Sequence, residues 1–598
     1  MRTSLFVGRL AAVAAMGIIT CASTYVALAQ VIIAHDPVIG SSNTVSADPR
    51  ISRPTGAHCT VDLFSNLEFA DFNTKNFTYT PPANCPGPWS KVIFAADFTV
   101  TKGRQFDRTA QFYLGGANIY FGTTAEPRAA LSPYWHVESD ITDLSALLKA
   151  PQAGTAILGN FVGVSNGVTY NGLIYSSAHL VFIPVSESQP AATVPDLVIG
   201  MPGNSGSATL GTTASQLMQS VTLPTNVEAA YLDVIAQSQS NDEFWYFCVP
   251  DSLASQLQSC PSTGFRETEV TIDGIPAGVA PVYPWIYTGG IDPYLWEPIP
   301  GVQTLNFKPF RVDLSPFAGI LSNGKSHTVA ISVFNADSYF SATANLLVYT
   351  DKGSATVTGS IVHNDLAAEP TPTLINKIAT DSAGNITGYV TVASNRSFTI
   401  EGKNHTSHGD VTSRVDGILN FSNTQTFDIT IDGKIYTQHL VQSTQGGIAT
   451  TTTANGKRRV DGQIIDYPYT LNYDQLQNPD GTYTITSTAD QKLYTAVKPY
   501  EPDQKAEKFV GEFDGFPIPY VYGIGDEVAS QDTRQFDANF NSLGHTGHSS
   551  QIYVQADTTG ACYSRALTSV NSVLTSVTDG ATCHQLDSFL ESILATMK

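Results

Sequence analysis

Val92-Ile93-Phe94-Ala95-Ala96-Asp97-Phe98-Thr99-Val100 sets the reading of this chain. Val92, Phe94, Ala96, Phe98 and Val100 alternate with Ile93, Ala95, Asp97 and Thr99, the period of a β-strand rather than a helix. Val227, Ala229, Tyr231, Asp233 and Ile235 alternate in the same way. Asp273-Gly274, Asp432-Gly433 and Asp480-Gly481 supply hairpin turns between such runs. Helical periodicity is confined to the end, around Gln585 to Met597. The expected class is all-β: two adjacent antiparallel jelly-roll or sandwich domains, then a third β-rich domain.

The two-domain expectation comes from an internal repeat. Val137-Glu138-Ser139-Asp140-Ile141-Thr142-Asp143-Leu144 in one half answers Val312-Asp313-Leu314-Ser315-Pro316-Phe317 in the other. Each half then closes on an apolar strand, His179 to Pro184 and Asn345 to Tyr349. Gly200 to Ser215, rich in Gly, Ser and Thr, reads as a linker. The expected organisation is a signal peptide over 1–29, an N-terminal segment over 30–57 and a first jelly roll over 58–190. A linker over 191–220, a second jelly roll over 221–352, a β domain over 353–495 and an extension over 496–598 follow.

At 598 residues the chain is too long for one core. Lys+Arg number 31 against 52 Asp+Glu, a net charge of −21, which argues against nucleic acid or an acidic membrane as partner. Only 14% of residues are charged, a surface suited to an acidic medium or, equally, to an ordinary one. Arg2 and Arg9, the apolar run Leu10 to Ile19 and Ala27-Leu28-Ala29 form a secretory signal, so the product is expected to be secreted, extracellular or periplasmic. Six later cysteines fall in three local pairs, expected as the disulfides Cys59–Cys85, Cys248–Cys260 and Cys562–Cys583.

Asp107 in Gly103-Arg104-Gln105-Phe106-Asp107-Arg108 and Glu243 in Asn241-Asp242-Glu243-Phe244-Trp245-Tyr246 occupy matching points in the two halves. Carboxylates facing one cleft can activate water. Asp107 between Arg104 and Arg108 equally has the spacing of a surface ion pair, and spacing alone favours that reading. Trp135, Trp245, Trp285 and Trp296 offer flat faces for sugars or, more commonly, core.

Ordered blocks resemble the peptide-N-glycosidase A family, the secreted peptide-N4-(N-acetyl-β-glucosaminyl)asparagine amidases. They are Lys102 to Arg108, Leu114-Gly115-Gly116, Thr124-Ala125-Glu126-Pro127, Asp140-Ile141-Thr142, Asn241 to Tyr246, Thr288 to Pro293 with Trp296, Gly324 to His327 and Asn395 to Phe398. A weaker likeness is to the shorter bacterial peptide-N-glycosidase F, in which acidic residues meet between two jelly rolls. A third acidic residue there corresponds to Asn160 here. The resemblance implies release of N-glycans from glycopeptides and glycoproteins by a monomer needing no metal or organic cofactor. It implies Asp107 and Glu243 as catalytic residues, and Arg104, Arg108, Trp135, Asn160, Asp242, Trp245, Asp292 and Trp296 as substrate-binding ones. A glycoside hydrolase using the same carboxylates, or a non-catalytic carbohydrate-binding protein, is the alternative.

Overall fold

The structure is a computed structural model that describes residues 33–34, 37–53, 56, 58–187, 189–203, 205–498, 509–513 and 516–580. The signal sequence and the C-terminal helix expected from the sequence lie outside these residues, as does Cys583 of the third cysteine pair. Cys59–Cys85 and Cys248–Cys260 are disulfide-bonded.

The first body is a sandwich of two antiparallel sheets. One sheet runs Cys59–Phe69, Ile174–Pro184, Trp89–Val100, Tyr134–Asp140, and the other Lys75–Tyr79, Gln152–Leu158, Thr109–Leu114, Ala117–Thr123. The Trp89–Val100 strand departs from simple alternation: Val92 through Ala96 are all fully buried. Its outer face is covered because Ile93 packs with Val181, Ile183 and, from the N-terminal segment, Ile51. Arg53 ties that segment down through a 2.6 Å ion pair with Glu138.

The second sandwich has one sheet in the order Leu197–Met201, Tyr339–Thr350, Val227–Gln239, Phe310–Asp313, with Ala208–Leu210 also on Tyr339–Thr350. The facing sheet is Leu217–Thr222, Ser326–Phe334, Glu267–Ile272, Ile275–Pro281. The segment expected as a linker therefore carries three strands. Its glycine has a packing role instead: a Cβ on Gly200 would run into the Gly116 carbonyl of the first sandwich. Close backbone approach needs the missing side chain. Asn118 and Asn345 lock the same seam: Asn118 N donates to Asn345 Oδ1 at 3.0 Å, and Asn345 Nδ2 to Asn118 O at 2.8 Å.

The third body is one long antiparallel meander. It runs Thr358–Asn364, Ile386–Thr406, Gly409–Ile429, Ile435–Ala454, Lys457–Gln477, Tyr483–Lys498, Tyr522–Phe536, Ser542–Asp557, Cys562–Val570, Val573–Asp579. Tyr483 pairs with Phe536 and Val497 with Tyr522, so the boundary expected at 495/496 falls inside one sheet. Along Gly409–Ile429 alternate residues are buried and the others open to solvent, the mark of a sheet covered on one face. The covered face lies on the second sandwich and shares its core: Trp245, Phe265 and Phe421 belong to one apolar cluster with Leu471 and Val528.

The inward polar residues of this sheet grip specific backbone. Asn423 Nδ2 donates to Tyr246 O at 2.8 Å, and Gln425 Nε2 to Cys248 O at 2.9 Å. Gln491 Nε2 donates to Pro284 O at 2.7 Å while its Oε1 accepts from Val302 N at 2.7 Å. Such buried bonds contribute about 1 kcal/mol each and cost more when one partner is lost. They brace the two segments, 243–248 and 284–302, on which the functional site is built.

Three carboxyl pairs also line the contact between this sheet and the rest. Asp48 and Asp526 are bridged by Gln551 Nε2 at 3.3 and 2.8 Å, with Lys308 facing Asp48 and Glu527 facing Asp526. Glu267 and Glu269 lie against Arg396 at 3.3 and 3.6 Å, with Glu369 nearby. Asp292 and Asp532 sit with Arg534 and His545 at 2.8 and 2.9 Å. Burial, and then the neighbouring carboxylate, pushes Glu269 up to about 10; burial, outweighing Arg534, pushes Asp292 up to about 6. A carboxyl raised on folding contributes stability that is whole below its unfolded value and is lost as pH rises through its folded value. The melting midpoint should therefore fall by several degrees between about pH 5 and about pH 7.5. A flat or rising midpoint over that range would contradict the pairing.

Candidate active site

Asp107 stands two residues before the strand Thr109–Leu114, whose hairpin partner is Ala117–Thr123. Thr109 pairs with Thr123, so the chain just beyond, at Glu126, comes back beside Asp107. The two loops are knitted by Arg108 N to Thr124 Oγ1 at 2.9 Å, Gln105 Nε2 to Ala125 O at 2.7 Å and Asp107 N to Glu126 Oε2 at 3.1 Å. From the second sandwich, Thr288 Oγ1 accepts from Glu126 N at 2.8 Å. Gly289 N donates to Asp107 Oδ2 at 2.8 Å. A Cβ on Gly289 would run into Glu126 Oε2. Trp296 braces this loop by donating Nε1–H to Gly290 O at 2.9 Å.

Glu243 arrives from the opposite side. Its strand, Val227–Gln239, ends in a 3-10 turn over Ser240–Asp242, entered through Ser240 at φ 56°, which turns the chain sharply toward the seam. Asp242 anchors that turn. Its Oδ1 meets Arg266 Nη2 at 2.9 Å, and its Oδ2 accepts from the backbone N–H groups of Asp337, Ser338 and Tyr339 at 2.7–3.0 Å.

Asp107, Glu126, Glu243 and Gly289 are each partly open to solvent where the two sandwiches meet. The three carboxyls feel one another. Burial pushes Asp107 up to about 6, against the opposing pull of the Gly289 N–H and Arg108. Burial, and then the charge on Asp107, pushes Glu126 up to about 7. Glu243 rises to about 7 by burial, then by Asp107 and Glu126. Such a cluster titrates as a unit and holds a proton near neutrality beside an ionised carboxylate, the combination that acid–base hydrolysis requires.

The structure brings Asp107, Glu243 and Arg108 within electrostatic reach of one another, Arg108 facing Asp107 and Glu126; Arg104 lies over Tyr170 instead. Other expected residues fall elsewhere. Trp135 stacks on Phe98 at 5.3 Å in the first core. Trp245 and Trp296 are buried in the second. Asn160 is fully buried and gives its Nδ2 to Phe69 O and Gly172 O at 3.0 Å, while its Oδ1 has no hydrogen-bond partner among the described residues. Asp242 and Asp292 are committed to Arg266 and Arg534. Each of these side chains is buried within the protein. Glu126 carried no expected role, yet the Gly115-Gly116 turn and the hairpin register place it against Asp107.

Among the described residues one group elsewhere has ligand-like spacing: Glu228, Asp351 and His408. Asp351 there already accepts from Gly353 N, Ser407 N and Ser407 Oγ at 2.6–2.8 Å.

A sequence model described as peptide N-acetyl-beta-D-glucosaminyl asparaginase amidase A matches residues 48–367, more than half of the chain. The chain belongs to this family. The match spans both sandwiches, and with them every residue of the cleft. A member of the amidase A family from Prunus dulcis, peptide-N4-(N-acetyl-beta-glucosaminyl)asparagine amidase A, is 28% identical over 433 residues. That alignment covers 69% of this chain and 73% of the relative. Among solved structures the chain is similar to PNGase F, a glycosylasparaginase from Flavobacterium meningosepticum. The TM-score is 0.33 at 13% identity, over 49% of this chain and 96% of that one. It is likewise similar to PNGF-II, with a TM-score of 0.34 at 13% identity over 49% and 65%.

Proposed function

We propose that the protein is a peptide-N4-(N-acetyl-β-glucosaminyl)asparagine amidase that releases N-glycans from glycopeptides and glycoproteins. The observation that carries this is the meeting of Asp107, Glu126 and Glu243 over Gly289 at the seam of two sandwiches, in a member of the amidase A family. In this reading Asp107 takes a proton from water, which attacks the side-chain carbonyl of the glycosylated asparagine. Arg108 faces the oxyanion that forms. A proton held by Glu126 or Glu243 passes to the leaving nitrogen as the C–N bond breaks. The products are aspartate and a glycosylamine, which loses ammonia in water. Glu243, coming from the other sandwich, orients the core sugars. The disulfides Cys59–Cys85 and Cys248–Cys260 support export to an oxidising compartment. Among the described residues no helix is long and apolar enough to cross a membrane. We take the working unit to be a monomer.

Mass spectrometry of a digested glycopeptide tests the reading. The expected product is the bare peptide with aspartate at the former glycan site, carrying one oxygen from labelled water. A sugar remnant on the peptide would move the assignment to a glycoside hydrolase, and binding without turnover to a carbohydrate-binding protein. The rate should rise as Asp107 ionises through about 6 and fall as the glutamyl protons leave near about 7. An optimum at clearly alkaline pH would contradict this assignment of roles.

A further inference from the structure

The loop that carries Asp107 is coupled to a small hairpin, Gly163–Ser165 with Val168–Tyr170, which pairs with no other sheet among the described residues. Its turn is Asn166-Gly167, both at positive φ, the sequence preferred for a two-residue turn. A two-stranded ribbon is marginal by itself and needs outside support. Here the support comes from the catalytic loop. Asn171 N and Gly172 N donate to Arg104 O at 3.0 Å, and Arg104 N donates to Asn171 Oδ1 at 3.0 Å.

Side chains then form a ladder of rings and guanidinium groups. Arg104 lies over Tyr170 at 5.5 Å, Tyr170 meets Phe106 at 5.2 Å, and Arg108 lies over Phe106 at 5.5 Å. Phe161 closes the hairpin side against Tyr170 at 5.7 Å. The last rung is the guanidinium that faces Asp107 and Glu126, and its Nε is buried without a hydrogen-bond partner. No bond from the described residues to that Nε fixes where Arg108 points, and the ring it packs on is Phe106.

We infer that Tyr170 is a positioning residue: through Phe106 it holds the Arg108 guanidinium against Asp107 and Glu126, so the hairpin sets the electrostatics of the cleft. The inference rests on the amidase reading and adds to it an element of the first sandwich outside the three carboxyls. The Tyr170 hydroxyl also lies within electrostatic reach of Arg108, and the inference assigns the positioning to the ring, which packs on Phe106.

The test is steady-state kinetics on a glycopeptide across pH, after wild-type enzyme has been found to release the glycan. Tyr170→Leu is expected to lower kcat about tenfold with KM little changed, the size of effect that follows from misplacing one group at a reacting centre. Asp107 faces Arg108, Glu126 and Glu243; moving the Arg108 charge away from it raises it further. The acidic limb of the profile should therefore move up by about half a pH unit. Tyr170→Phe should restore the wild-type rate and profile. Phe106→Leu breaks a different rung at a residue 39% exposed, and should repeat the Tyr170→Leu effects if that variant fails to fold. A wild-type profile in Phe106→Leu, or a Tyr170→Phe variant as impaired as Tyr170→Leu, overturns the inference while leaving the amidase reading intact. An inactive wild-type enzyme overturns the reading itself.

Discussion

Asp107→Asn is expected to lower the rate of glycan release by about 10²–10⁴-fold, the range for loss of a positioned acid or base. The substitution is nearly isosteric. The oxygen of the new amide side chain can still accept from Gly289 N, now 2.8 Å from Asp107 Oδ2, so the seam between the sandwiches should keep its form. What disappears is the carboxylate that takes the proton from water. Its loss also removes a negative neighbour from Glu126 and Glu243, whose elevated values owe part of their rise to Asp107. Both should then ionise at lower pH. Binding of the glycopeptide should persist, and the folded variant should be at least as stable as the parent, because ionising Asp107 in place is unfavourable. Single-turnover assays beside calorimetric binding and melting curves separate these effects. A variant within tenfold of the parent rate would remove Asp107 from the role of base.

Asp242→Ala should act on the fold instead of the chemistry, although it lies next to Glu243. The Arg266 guanidinium is fully buried and would lose its carboxylate. The N–H groups of Asp337, Ser338 and Tyr339 would lose their shared acceptor at the same time. Breaking one partner from a buried pair costs about 3–5 kcal/mol, a large fraction of the stability of an ordinary domain. The expected result is a markedly lower denaturant midpoint, or protein that does not accumulate in soluble form. Glu243→Gln, one residue away, should melt normally. A loss below about 1 kcal/mol in Asp242→Ala would show that Arg266 finds another partner.

Much of the architecture could be read from alternation. The pattern in Gly409–Ile429 is the burial pattern of a one-face sheet, and the runs at 92 and 227 are central strands. Alternation does not say which body covers a face. Ile93 therefore reads as solvent-facing in the sequence and is buried in the fold. Residues 191–220 read as a linker because Gly, Ser and Thr suggest freedom; at Gly200 the glycine answers to a neighbouring backbone. The candidate site was legible to a similar degree. Asp107 and Glu243 stand at strand ends, where a pattern can place them. Asp242, Asp292 and Asn160 have ligand-like chemistry, and only tertiary contacts reveal that Arg266, Arg534 and two backbone carbonyls already occupy them. Glu126 was readable in principle from the hairpin register that returns it to Asp107.

The burial of all five tryptophans, Trp89, Trp135, Trp245, Trp285 and Trp296, has an optical consequence. The long C-terminal sheet contains none of its own, yet it lies on Trp245 through Phe421 at 6.4 Å, and Tyr467 of that sheet packs on Tyr283 beside Trp285. Intrinsic emission should be blue-shifted in the native protein and nearly silent when sugar enters the cleft, where the exposed ring is Phe106. A red shift would report departure of the long sheet or unfolding of a sandwich, so the protein carries its own gauge of assembly.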